Sequence, residues 1–96
     1  MERKNMDKLH LWAEKLKAMG HPARLEILMD LYHGSYDLKR IMEKYHMSQP
    51  AVSQHLSIMR RLGMIRCSRE GVSMCYAILD DDVKQFISVL TKEVSQ

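Results

Sequence analysis

Residues 37–62 hold two short helical patterns separated by only three residues, and that spacing constrains the chain more than any other feature in it. Leu38, Ile41, Met42 and Tyr45 fall at i, i+3, i+4 and i+7, which predicts a helix over about 37–45. After the break His46-Met47-Ser48, a second helix is predicted over about 49–62, with Ser48 as its N-cap and Pro50 tolerated in its first turn. At about 100° per residue, Val52, Leu56, Met59 and Leu62 cluster on one side of that helix. Gln49, Pro50, Ser53, Gln54, Ser57, Arg60 and Arg61 occupy the other. Any solvated helix can carry a polar face. Amides, hydroxyls and guanidinium groups are also the side chains that read base edges: Gln pairs with adenine, Ser bonds several edges, and Arg reaches guanine or phosphate.

Charge sharpens the choice. Residues 37–69 carry seven Lys/Arg against two Asp/Glu, a balance of +5, whereas residues 1–36 stand at +1 and residues 70–96 at −3. A polyanion is expected to sit on the basic middle. Lys39, Arg40, Arg60, Arg61 and Arg69 are the cations expected to supply salt-sensitive phosphate attraction, and Gln49, Ser53, Gln54 and Ser57 the selectivity, with Ser48 at the helix start also among the expected DNA-binding residues. A tight turn with a second helix so equipped reads as a helix-turn-helix.

The flanking segments complete the outline. Residues 64–69 and 72–78 alternate about Glu70-Gly71, predicting a β-hairpin wing over about 64–78 with Arg69 at its tip. With a two-residue turn, Ile65, Cys67, Met74, Tyr76 and Ile78 share its apolar face, and Arg66, Cys75 and Ala77 the other. Helices are predicted over about 7–19 (Leu9, Trp12, Ala13, Leu16 and Met19 on one stripe) and from Pro22 to about His33 (Leu25, Leu28, Leu31 and Tyr32 inward). A last helix is predicted over about 81–95, where Val83, Phe86, Ile87, Leu90 and Val94 form an apolar seam. That seam must pack on something, and a second copy of the chain is the natural partner. The helix at 81–95 is therefore expected to dimerise the protein through Val83, Phe86, Ile87, Leu90 and Val94. The expected fold is mainly α, formally α+β: a winged helix-turn-helix of five helices with a two-stranded hairpin wing, residues 1–96 forming one domain.

Other classes fall away. Ninety-six residues leave little room for an enclosed catalytic cleft, and no nucleophile–base pair, phosphate loop or carboxylate pair stands out, so no enzyme is expected. Two cysteines cannot build a disulfide framework or a four-cysteine zinc site. No apolar run spans a bilayer, and the charged start Met1-Glu2-Arg3-Lys4-Asn5 does not read as a signal-peptide core, so a cytoplasmic protein without a membrane partner is expected. The partners expected are double-stranded operator DNA and a second copy of the chain, with no cofactor. A winged helix that binds protein instead is the rival, since fold alone does not fix function.

Three stretches together resemble the ArsR/SmtB family of bacterial winged helix-turn-helix repressors over about residues 9–90: Leu16 to Leu28, Met47 to Leu56, and Cys75-Tyr76-Ala77-Ile78. The resemblance implies a homodimer reading a palindromic operator, with the first helix joining the last at the interface through Leu9, Trp12 and Leu16, DNA contacts at Gln49, Pro50, Ser53 and Gln54, and a wing contact near Arg69. The Ser53-Gln54-His55-Leu56 form is most similar to the non-metal branch that responds to oxidants or reactive sulfur. Metal-sensing relatives carry a Cys-x-Cys pair where this chain has Gly34, Ser35 and Tyr36, or Asp and His along the last helix, and no His follows His55 here. The sulfur-sensing dithiol positions match Met29 and Ser95. No metal site is expected, and the sequence names no inducer.

Two thiols stay open as a redox alternative, Cys67 facing the core and Cys75 facing outward, where Arg66 would favour the Cys75 thiolate. In this register they lie on opposite faces of the hairpin, and a three-residue turn would be needed to oppose them. His55 is expected to pack on the core flank of its helix and His21 to be structural, with His10, His33 and His46 dispersed. Met19, Met29, Met42, Met59 and Met74 read as core filler.

Overall fold

The computed structural model describes residues 2–94, which run α1 (Arg3–Met19), α2 (Pro22–Tyr32), β1 (Tyr36–Asp37), α3 (Leu38–Tyr45), α4 (Gln49–Arg61), β2 (Ile65–Glu70), β3 (Ser73–Ile78) and α5 (Asp81–Val94). Ser95, at the sulfur-sensing position of the last helix, lies outside the described residues. Five helices stand as expected, but the wing belongs to a three-stranded antiparallel sheet of order β1-β3-β2 rather than a two-stranded hairpin. The added strand pairs Tyr36 with Tyr76 and Asp37 with Cys75. Two residues are too few for the alternation by which a strand announces itself.

Local chemistry sets the helix starts. His21 Nδ1 accepts the Ala23 N–H at 3.2 Å and Pro22 opens α2, where its missing N–H costs nothing. Asp37 accepts the Arg40 N–H at 2.7 Å and Ser48 Oγ accepts the Ala51 N–H at 3.3 Å, capping the two helices of the motif. Between them His46 takes a left-handed conformation, φ 52°, so that the Met47 N–H returns to the Met42 carbonyl at 3.2 Å. Asp80 caps α5, accepting the N–H groups of Asp82 at 2.9 Å and Val83 at 3.3 Å. The first helix begins at Arg3 rather than near residue 7, so its charged first turn is helical although it buries nothing.

The hairpin loop is Gly71-Val72, with Glu70 opposite Ser73, one residue later than the expected Glu70-Gly71 turn. Gly71 supplies the positive φ of 64° that the loop needs. The register moves by two residues (Ile65 opposite Ile78, Cys67 opposite Tyr76), and because side chains alternate with period two, every residue keeps its expected face.

The core is drawn from every helix and the sheet: Ile27, Leu28, Ile41, Val52, Leu56, Met59, Met64, Ile65, Val83 and Ile87 are fully buried, and α1 adds Ala18 and Met19. Two of these correct the expected interface. Val83 and Ile87 turn into the core of the protomer and offer a partner nothing, and Leu90 packs half-buried beside them. The large apolar residues left outside on α5 are Phe86, Val89 and Val94, and on α1 Met6, Leu9, Leu11 and Leu16. A single apolar seam thus divides into a core stripe and an outer strip. Ala13 of the α1 stripe is exposed, and Ile27 replaces the half-buried Leu25 and Tyr32 as the inward anchor of α2. Met74 is exposed as well, toward the loop end of the wing.

Candidate nucleic-acid interface

Val52, Leu56 and Met59 pin α4 to the core, each burial contributing about 2 kcal/mol. The opposite side is presented to solvent: Gln49, Pro50, Gln54, Ser57, Arg60 and Arg61 are exposed, and Ser53 is half-buried. No Asp or Glu occurs between Glu43 and Glu70, so α4 and both its flanks repel no phosphate. Ser48 is exposed just ahead, its hydroxyl oxygen engaged as the cap.

The wing divides this surface. On one side lies a cleft of about 490 Å³ lined by Ser53, Leu56, Ser57, Arg60, Arg61 and Tyr76 of β3. A second cleft of about 300 Å³ brings Lys39 and Gln49 against the wing residues Val72, Ser73 and Met74. Arg69 is exposed one pair from the end of the hairpin, opposite Met74. Arg40 lies over Tyr36, its guanidinium carbon 3.9 Å from the ring centroid, so its reach is restrained by a cation–π contact. Lys44 is withdrawn from the basic surface: its ammonium bonds Asp30 at 2.6 Å, which pushes its pKa up. The same carboxylate accepts from the Tyr45 hydroxyl, and burial together with that bond pushes the Tyr45 phenol up as well. Tyr76 carried no signal of its place in the cleft, since that depends on where β3 lies against α4.

Residues 21–66 match the family described as bacterial regulatory protein, arsR family. An HTH-type transcriptional regulator of Methanocaldococcus jannaschii is 37% identical over 86 residues, covering 88% of this chain and 97% of that protein. The chain belongs to the ArsR family. Among the relatives is the transcriptional repressor PagR of Bacillus anthracis, 37% identical over 79 residues that cover 81% of this chain and 79% of PagR. The structure of reduced HlyU from Vibrio cholerae superposes with a TM-score of 0.90 at 27% identity, covering 99% of this chain and all of that one. HlyU is a transcriptional activator, so the proteins similar to this chain include both a repressor and an activator. ArsR proteins are DNA-binding transcriptional regulators rather than enzymes, and no helix among the described residues is long and apolar enough to cross a membrane.

Within this ArsR protein the two thiols do not form a clasp. Cys67 stands opposite Tyr76 and Cys75 opposite Ser68, so the cysteines occupy adjacent pairs on opposite faces of the sheet. Bridging them would require the backbone to rearrange. Arg66, expected beside Cys75, is paired with Ala77 instead. Desolvation, then Glu70 and Asp37, push the Cys75 thiol pKa up, which disfavours the reactive thiolate. Replacing Cys67 and Cys75 together with serine should leave duplex affinity unchanged by fluorescence anisotropy, and peroxide should not alter the unsubstituted protein. A peroxide effect that the double substitution abolishes would restore the thiol-sensing alternative.

The histidines contribute structure. His21 and His55 stack with ring centroids 4.7 Å apart, joining the start of α2 to α4. Desolvation, then the nearby His21 and Arg24, hold the His55 pKa down, and its buried Nδ1 has no hydrogen-bond partner. Among the described residues no three His, Cys, Asp or Glu side chains gather as a metal set.

Proposed function

We propose that this protein represses transcription in the cytoplasm by covering a palindromic operator as a homodimer, without a metal at either usual site of its family. The observation that carries the reading is the α4 surface: Gln49, Pro50, Gln54, Ser57 and Arg61 exposed on a helix whose other side is locked in the core, in a segment free of carboxylates. A rigidly held helix with amide and hydroxyl donors can discriminate base edges, and its arginines add attraction to phosphate. The outer apolar strip of α1 and α5 supports the dimer, because exposed Leu9, Leu16, Phe86, Val89 and Val94 lie on the two helices that the protomer leaves uncovered. Two copies double the contacts and space the half-sites by about one helical turn.

Selection from a randomised duplex pool tests this directly, with an enriched palindrome as the expected result. Gln54 is the cleanest variant, since it is exposed and lines neither wing cleft. Gln54→Ala should weaken the enriched duplex by about 2 kcal/mol, roughly thirtyfold, while leaving a scrambled duplex unaffected. Equal weakening of both would make Gln54 a backbone contact. No enrichment at all, or duplex binding indifferent to salt, would favour the protein-binding rival. A reporter behind the selected site decides the sign: removing the protein should raise expression, and a fall would make it an activator.

A further inference from the structure

The cleft between α4 and the wing sets Arg60, Arg61 and the wing residue Tyr76 beside two of the hydroxyl donors of α4. Five of its six lining side chains are polar (Ser53, Ser57, Arg60, Arg61 and Tyr76), each can donate a hydrogen bond, and none is acidic; Leu56 is its buried floor. Such a donor set suits an oxyanion. Its shape narrows the choice further. Ser53, Ser57 and Arg60 recur at i, i+4 and i+7, so the donors form a strip about 10 Å long on one side of α4. A strip of donors facing a strand fits a chain of phosphates better than one compact ion.

We infer that this cleft seats the DNA backbone, with a phosphate held between the Tyr76 hydroxyl of the wing strand and the Arg60 guanidinium of α4. The inference rests on the operator-binding reading and adds to it a contact from the body of the wing. Tyr76 is well placed for the task. It sits on the middle strand, opposite Tyr36 on one side and Cys67 on the other, and its ring packs against the core. A side chain held this way loses little conformational freedom on contact. Burial and the neighbouring Cys67 thiol push the phenol up while Arg60 acts in the opposite direction, and the net effect is upward. The hydroxyl therefore keeps its proton at neutral pH and donates it to the anion. Such a contact positions the protein without reading sequence. Arg60 and Ser53 then belong to the wing side of α4, and base reading falls to its outer side.

Tyr76→Phe retains the ring and removes the hydroxyl. It should weaken the selected duplex and a scrambled duplex alike, by about tenfold, with melting temperature and oligomeric state unchanged. Arg60→Gln should reduce the slope of log affinity against log salt by about 0.9, and in that background Tyr76→Phe should cost much less. The inference is overturned if the unsubstituted protein binds duplex while Tyr76→Phe binds both duplexes equally well, or if Arg60→Gln keeps the full salt slope. A protein that binds no duplex at all removes the operator reading as well, a failure seen before any variant is made. Inorganic phosphate is the remaining arm, followed through the Tyr76 resonances. Weak binding without competition is expected, whereas tight phosphate binding that displaces duplex would assign the cleft to a free anion instead of the backbone.

Discussion

Phe86→Glu should convert the protein to monomers and reduce its affinity for an operator duplex about a thousandfold, to the level of non-specific binding. Phe86 is half exposed on the outer side of α5, and its ring lies 5.5 Å from Trp12 of α1, so it ties the two uncovered helices into one apolar surface. Val89 and Val94 extend that surface along α5, and Leu9 and Leu16 extend it along α1. In a twofold interface each residue is present twice, so one substitution introduces two carboxylates into a surface that association would dry. A monomer can engage one half-site and loses the contacts of the other. Light scattering reports the mass and anisotropy the affinity. Circular dichroism should be unchanged, because Phe86 lies outside the protomer core formed by Val83 and Ile87. A dimer that survives Phe86→Glu would place the interface elsewhere.

The contrast between Phe86 and Ile87 marks how far the sequence could be read. Both belong to one apolar seam, and helical periodicity finds the seam without saying that its inner edge fills the protomer while its outer edge stays exposed. Local signals fared better. Pro22 and Ser48 mark the starts of α2 and α4 because caps and first-turn prolines act within a few residues of themselves. The polar side of α4 was legible for the same reason. Its division by the wing was not, since the placement of Ser53 and Arg60 beside Tyr76 depends on where β3 crosses the helix. The two-residue strand β1 left no pattern, yet it makes Tyr76 the centre of a sheet instead of an edge. Gly71 announced a turn but not which of its neighbours completes it, and the alternation of strand faces absorbed that error. Lys15 was the least legible residue: a lysine within a charged helix is expected in water, and its partner lies sixty-five residues away.

That lysine carries the other large effect. Lys15 is nine-tenths buried, its ammonium 2.5 Å from Asp80 and 4.8 Å from the centre of the Trp12 ring. Asp80 in turn caps α5, so one ion pair fastens α1 to the first turn of the helix that carries Phe86. Lys15→Ala should lower stability by about 3 kcal/mol, because the carboxylate is left buried without its cation. For a chain of this size that is a fall of about 15 °C in melting temperature. The pH dependence gives a sharper signature. Burial alone would raise the Asp80 pKa, but the bond from Lys15 and the N–H groups of Val83 and Asp82 outweigh it and hold the carboxyl below its usual range. A carboxyl with a depressed folded-state pKa contributes stability above its unfolded value, near about 4, and that contribution is lost as pH falls through the folded value. Urea unfolding from about pH 7 down to about pH 3 should therefore show an acid-side loss in the native protein that Lys15→Ala largely removes, since the buried carboxyl then favours protonation. The same variant should weaken the dimer, because α1 and α5 lose the contact that aligns Trp12 with Phe86. A change below about 1 kcal/mol, with the acid-side loss intact, would mean that desolvation cancels the attraction and that packing alone holds α1 to α5.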